Sequence, residues 1–131
     1  MGQVRVLLIG LEPSIMDFTS GEYARPGLTA QKIQAAIDAD IARLRELGYD
    51  ADFCGVDFGA TAEAVVRARL AAKTSDCVVI GAGVRLFAKQ TPLFETLVNV
   101  VSEVAPRAKF AFNTNPTDTT EAVQRWFTAS S

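Results

Sequence analysis

The chain has 131 residues and a mass of 14.1 kDa, the size of one domain, and is read as a single α/β domain over residues 1–131. With 49% hydrophobic and 21% charged residues, a net charge of −2 and a pI near 5.1, it is expected to be a soluble globular protein and not one that binds nucleic acid by neutralising phosphates. Histidine is absent, which removes the commonest general base and zinc ligand; no run of about 18 apolar residues marks a membrane span, and the first residues lack a secretion signal, so a cytoplasmic location is expected.

Taken in chain order, Val4, Val6, Leu7, Leu8 and Ile9 form a short β-branched and apolar run that ends at Gly10, the pattern of a strand buried on both faces. A long polar loop follows over residues 11–28, broken by Pro13, Gly21, Pro26 and Gly27. Thr29 is the expected N-cap of the first helix, whose inward face is Ile33, Ile37, Ile41, Leu44 and Leu47, and Gly48 supplies its stop. Residues 49–56, with Ala51, Phe53, Cys54 and Val56, read as the second strand. Thr61 is expected to cap a second helix carrying Ala62, Val65, Val66 and Leu70 inward.

Residues 77–80 (Cys77, Val78, Val79, Ile80) read as a third buried strand, and a connection over 81–91 begins Gly81, Ala82, Gly83. Thr91 followed by Pro92 is a helix start, with Phe94, Leu97, Val98, Val101 and Val104 inward and Pro106 as terminator. Residues 110–112 form a fourth strand, and Asp118 with Glu121 has capping-box spacing before a last helix that carries Val123, Trp126 and Phe127. Strands alternating with helices imply a parallel sheet covered on both sides. The expected architecture is a three-layer α/β/α domain around a four-stranded parallel sheet of order 2-1-3-4, Rossmann-like or flavodoxin-like.

That order places a ligand site beyond the carboxyl ends of the strands, at the switch point between strands one and three. The loops that meet there are 10–28 and 81–91, with 113–117 beside them and Asp57 on the far side. Loop 10–28 carries Glu12, Ser14, Asp17, Glu22, Tyr23 and Arg25. Gly81 and Gly83 allow close approach of a ligand, and Arg85 is a candidate bidentate partner for a phosphate or carboxylate. Asn113, Thr114, Asn115, Pro116 and Thr117 offer neutral polar groups. The candidate ligand-binding set is therefore Gly81, Gly83, Arg85, Asn113, Thr114 and Arg25. Glu12 and Asp17 are the candidate catalytic acid and base, because no histidine is available, although spacing alone does not bring them together. If Arg85 is a ligand contact and nothing more, Arg85→Ala leaves the melting temperature nearly unchanged.

Several activities are excluded by pattern. The first strand is followed by Gly10, Leu11, Glu12 and Pro13, which lacks the second glycine of a dinucleotide fingerprint, and Leu86 stands where the third would fall after Gly81 and Gly83. Asp57 lies much further along than the roughly 20 residues that separate the ribose-binding acid from that fingerprint. No Walker A sequence or nucleophile elbow occurs, the Ser/Thr/Gly phosphate loop of flavodoxins is missing, and Gly81 occupies the position where a receiver domain has its phosphorylated Asp. No metal ligand set is read, and no cofactor is named.

Cys54 and Cys77 fall in strands two and three, which strand one separates, so two free buried thiols are expected. Lys89 reads as a solvated lysine before a nucleophile. Leu86 and Phe87, and Trp126 with Phe127, are candidate contact surfaces, and a homodimer is the expected assembly. The alternative for Trp126 is that it closes the core.

Residues 26–30 (Pro26, Gly27, Leu28, Thr29, Ala30), 79–85 (Val79, Ile80, Gly81, Ala82, Gly83, Val84, Arg85) and 112–118 (from Phe112 through Asn113, Thr114, Asn115, Pro116 and Thr117 to Asp118) resemble stretches of small single-domain bacterial α/β proteins that have no assigned activity. The resemblance spans most of the chain and implies a Rossmann-like fold. It implies no substrate and transfers no catalytic residue. Three readings follow: a binding protein or enzyme for a small anionic metabolite, a regulatory or partner-binding module that senses a nucleotide, and a fold whose polar loops are only turns. Loop 11–28 favours the first two, since a structural connection from a parallel strand to its helix usually takes about two to six residues. No membrane or nucleic-acid partner is expected.

Overall fold

The computed structural model describes residues 3–21, 23–115 and 117–128; Glu22 and Pro116, named above among the loop residues, lie outside them. The central strand is β1 (Arg5–Leu11). It pairs in parallel with β2 (Asp50–Val56) along one edge and with β3 (Cys77–Ile80) along the other, and β3 pairs with β4 (Lys109–Phe112). The sheet is all parallel, in the order β2-β1-β3-β4, as the alternation of elements predicts.

A strand covered on both faces has no polar side to show, and this dictates the composition of β1 and β3. Val6 and Leu8 pack with Cys77 and Val79 on one face; Leu7, Ile9 and Leu11 pack with Val78 and Ile80 on the other. The first face is covered by α1 (Ala30–Glu46) and α5 (Thr119–Gln124). The second is covered by α2 (Ala62–Ala72) and α4 (Thr91–Val104). A single turn of helix, α3 (Ala82–Arg85), lies inside what the sequence reads as a plain connection after β3.

Helix α1 follows the expected stripe: Ile37, Ile41 and Leu44 are buried, and Ile33 and Leu47 pack against them at the rim. The Thr29 hydroxyl accepts from the Lys32 amide at 3.2 Å, so this cap forms as read. The other expected caps do not. Thr61 makes no cap bond of its own; Asp57 accepts from the Gly59 and Thr61 amides at 2.9 and 3.0–3.1 Å and from the Thr61 hydroxyl at 2.7 Å. A carboxylate reaches several amides of the turn where a hydroxyl reaches one. Thr91 is the first residue of α4 rather than its cap. Asp118 accepts from the Thr114 and Asn115 amides and the Thr114 hydroxyl, thus closing the loop before α5 instead of capping the helix.

On α4 the buried face is Leu93, Leu97, Val100 and Val101, rotated slightly from the expected stripe, with Phe94, Val98 and Val104 at its margin. At the C-terminal end Trp126 and Phe127 lie past α5. Trp126 is exposed, and Phe127 is the one that packs on the core, where its carbonyl accepts from the buried Tyr49 hydroxyl at 2.9 Å. Cys54 and Cys77 are buried and free. Burial raises both thiols, Cys77 to about 12, so neither has thiolate character at neutral pH. None of the described helices is long and apolar enough to cross a membrane.

The packing makes the assignment of the α1 face testable. Ile37→Ala is expected to lower stability by about 2–5 kcal/mol, the usual cost of emptying a buried aliphatic site. Gln31→Ala, on the exposed face, is expected to change it by less than about 0.5 kcal/mol. Urea midpoints measure both, and equal midpoints would mean that α1 packs with a different face.

Candidate functional site

Two cavities open at the carboxyl end of the sheet, on opposite sides of it. The first lies at the predicted switch point, under α1. Its origin is a row of missing side chains. Gly10 pairs with Gly55 in the last rungs of β1 and β2, and the Gly81 amide donates to the Ile9 carbonyl at 2.8 Å just past β3. Strand alternation aims all three toward α1, because each stands two residues after a side chain on that face: Leu8, Phe53 and Val79. The Phe53 ring lies across two of these positions, 3.3 Å from where a Cβ on Gly10 would stand and 3.2 Å from one on Gly55. Over Gly81 the space stays open, since a Cβ there would meet only the Ile9 carbonyl at 3.4 Å and the Gly10 Cα at 3.7 Å.

The resulting pocket has a volume of about 100 Å³. Its walls are Leu8, Leu11, Met16, Ile33, Ile37 and Phe53, and its polar end is Asn113 and Thr119 beside the Gly81–Gly83 backbone. Among the described residues, no charged side chain lines it. Asn113 is buried and held at both ends of its amide: Oδ1 accepts from the Ala82 amide at 2.9 Å, and Nδ2 donates to the Thr119 hydroxyl oxygen at 3.0 Å. Thr119 in turn donates its hydroxyl and its amide, the latter at 3.3 Å, to Asp40 on α1. Asp40 is buried, and desolvation raises its carboxyl above the ordinary value of 3.8 despite these bonds, with Glu121 and Asp118 adding like charge.

The second cavity is a cleft of about 510 Å³ beneath loop 11–28 on the α2 and α4 side. Ile15, Asp17, Ser20, Gly21 and Tyr23 of the loop line it, with Phe58 before α2 and Lys89 and Gln90 before α4. Tyr23 ties the loop down: its hydroxyl donates to the Gly83 carbonyl at 2.9 Å, and its ring meets Phe87 edge-on with centroids 5.1 Å apart. The loop therefore stands between the two cavities, with Leu11 and Met16 facing one and Ile15 and Asp17 facing the other.

Of the residues singled out by sequence, Gly81, Gly83 and Asn113 meet at the first pocket. Thr114 is exposed and engaged by Asp118. Arg25 is exposed and donates to the Ala24 carbonyl at 2.8 Å. Glu12 and Asp17 are not brought together at the pocket: the Glu12 carboxylate lies over Gly55, whereas Asp17 faces the cleft. Asp17 accepts from the Thr19 amide and hydroxyl at 2.8 and 2.6 Å and from the Ser20 hydroxyl at 3.0 Å, which holds its carboxyl down at about 2. Leu86 stays exposed, while Phe87 packs on Tyr23. Residues that sequence reading passed over are Phe53, Gly55, Asp40, Thr119 and Gln90. For Asp40 the signal was present, because it stands at i+3 from Ile37 and i−4 from Leu44 on the inward stripe.

Arg85 is not among the residues that line either cavity. Its Nε donates to the Ile80 carbonyl at 2.9 Å and its guanidinium lies 5.0 Å from the Phe112 ring centroid, so it ties α3 back to the ends of β3 and β4. Burial lowers its pKa, and its Nη2 is sealed from solvent with no hydrogen-bond partner among the described residues. Arg85→Ala is thus expected to destabilise the fold by about 1 kcal/mol, and Arg85→Lys to do the same, since lysine has neither the Nε donor nor the planar face. Thermal unfolding of the two variants checks this.

Asp40 sets a pH dependence. Its pKa is higher in the folded chain than in the unfolded one, so its contribution is fully present below the unfolded value of 3.8 and is lost as pH rises through the folded value. Asp40→Asn, which keeps an oxygen for Thr119, is expected to be more stable than the parent at pH 7 and no more stable below about pH 3.8. Denaturant midpoints across that range give the sign. No family model, curated protein or solved structure matches the chain, so the reading of its function rests on these two cavities.

Proposed function

We infer that this chain is a small-molecule-binding protein whose site is the pocket over Gly81 at the β1/β3 switch point. The observation that carries the reading is the pocket itself: apolar walls and a neutral, fixed polar end, at the place where the topology of an open parallel sheet puts a ligand. The lining favours an uncharged group over the anion that Arg85 suggests from sequence. A space of about 100 Å³ suits a branched aliphatic chain or a small ring, the compact end of a larger molecule. Asn113 and Thr119 favour a polar atom on that end, read by hydrogen bonding. Binding without chemistry is the better supported role, because the two candidate carboxylates do not converge on the pocket.

The experiment is titration with isobutyramide, an isopropyl group bearing one amide, followed by ¹H–¹⁵N NMR. Shifts confined to Ile33, Gly81, Ala82, Gly83 and the Asn113 side chain are the expected result. Gly81→Ala puts a methyl group into the open space at a backbone φ of −66°, which alanine adopts without strain. That variant is expected to be as stable as the parent or more stable by up to about 1 kcal/mol, and to lose the isobutyramide shifts. Unchanged binding by Gly81→Ala would move the ligand elsewhere.

A further inference from the structure

The cleft under loop 11–28 contains a polar group that the fold leaves unused. Gln90 is 6% exposed and precedes α4, yet its side chain caps nothing and has no hydrogen-bond partner among the described residues. A buried amide is costly unless its donor and acceptor are met. Gln90 lines the cleft, so its amide is open to a ligand that occupies that space. The remaining walls are of two kinds. Phe58 is 45% exposed, and its ring stands 6.5 Å from that of Tyr23. Ser20, Asp17 and Lys89 add a hydroxyl, an anionic acceptor and a cation.

We propose that this cleft is a second binding site, separate from the pocket over Gly81, and that it takes a nucleoside. The base presents an adjacent donor and acceptor to the Gln90 amide and stacks on Phe58. An amide side chain pairs with such an edge in two parallel bonds, as Gln does with adenine, and base-on-aromatic stacking tolerates an exposed ring. The sugar hydroxyls face Asp17 and Ser20. The Asp17 carboxylate stays ionised and keeps accepting capacity beyond its bonds to Thr19 and Ser20. Lys89 lies at the same cleft, where a 5′-phosphate would gain from it as a point charge. At about 510 Å³ the cleft is in the size range of small-molecule sites, whereas water alone would need only a corner of it.

Titration of the intact chain with adenosine, cytidine and adenosine 5′-monophosphate, read by ¹H–¹⁵N NMR, tests this. Adenosine or cytidine is expected to move the Gln90 side-chain NH₂ pair together with the amides of Phe58 and Ser20. Gln90→Leu is expected to weaken binding by roughly tenfold, and Phe58→Ala, which disturbs no buried polar group, by at least about fivefold. The monophosphate is expected to bind more tightly than adenosine, a gain that Lys89→Ala removes. Gly81→Ala leaves all of this unchanged, so a failure here is separate from a failure of the pocket over Gly81. The proposal is overturned if the Gln90 pair stays unmoved by either nucleoside at millimolar concentration, or if Gln90→Leu and Phe58→Ala bind as well as the parent does.

Discussion

Asn113 stands where four elements have to agree. Its amide accepts from the start of α3, donates to the start of α5, and through Thr119 reaches Asp40 in the middle of α1, while its own backbone ends β4. A buried amide with two opposed partners has one orientation, because reversing it would set donor against donor at Ala82. That single constraint fixes the height of α5 and the entry into α3, and with them the polar wall of the pocket over Gly81. The apolar walls are less exacting, since Ile33, Ile37 and Leu8 can shift by tenths of an ångström without losing their burial. The relay is neutral where it meets the pocket and ionisable only at its far end, behind α1.

The second determinant is what the last rung of the sheet omits. The Glu12 carboxylate already stands over Gly55, whereas side chains at Gly10 and Gly81 would enter the space between sheet and α1. Their absence leaves a gap that Phe53 covers in part, over Gly10 and Gly55, and leaves open over Gly81. On the opposite face the space beyond the strands is taken by Val84 with the rest of the α2 and α4 core, and the cleft there forms higher up, between loop 11–28 and the starts of α2 and α4. The long loop thus has a structural reason to be long. It must cross the end of the sheet, place Leu11 and Met16 on one cavity, and dock Tyr23 on Gly83 and Phe87 before returning to Thr29.

The sheet and its order were legible in the sequence because a strand buried on both faces admits only apolar, largely β-branched residues, and because right-handed crossovers leave few arrangements of four such strands. The α1 stripe was legible for the same reason, as periodicity is a local property. Partnership was not. Gly10 and Gly81 were visible as strand ends, but that Gly55 completes a row with them depends on register, which is set by pairing across the sheet. Asp40 and Thr119 stand 79 residues apart, and no local pattern announces that a carboxylate on an apolar stripe has a hydroxyl waiting for it. Arg85 reads as an anion contact in sequence because a cation after two glycines is the pattern of an anion site. The buried carbonyl of Ile80 and the face of Phe112 claim it first, and both come from the ends of strands rather than from its own neighbourhood.

Asp17 and Asp40 are tuned in opposite directions, the first by hydrogen-bond donors and the second by burial. Asp17 is fixed as an anion by three donors from Thr19 and Ser20, so it has little basicity to offer. Asp40 resists ionisation because it is buried, yet Asn113 and Thr119 stand between it and the pocket, so its proton cannot reach a ligand without passing through the Thr119 hydroxyl. A general acid or base needs a pKa near the working pH and direct reach; Asp17 lines its cleft but is held down as an anion, and Asp40 is not among the residues that line either cavity. What these groups can do is hold geometry: Asp17 closes the turn that shapes one wall of the cleft, and Asp40 anchors the threonine that orients Asn113. The pocket over Gly81 is thus lined by fixed neutral groups, whereas the charged groups of this carboxyl edge, Asp17 and Lys89, line the cleft.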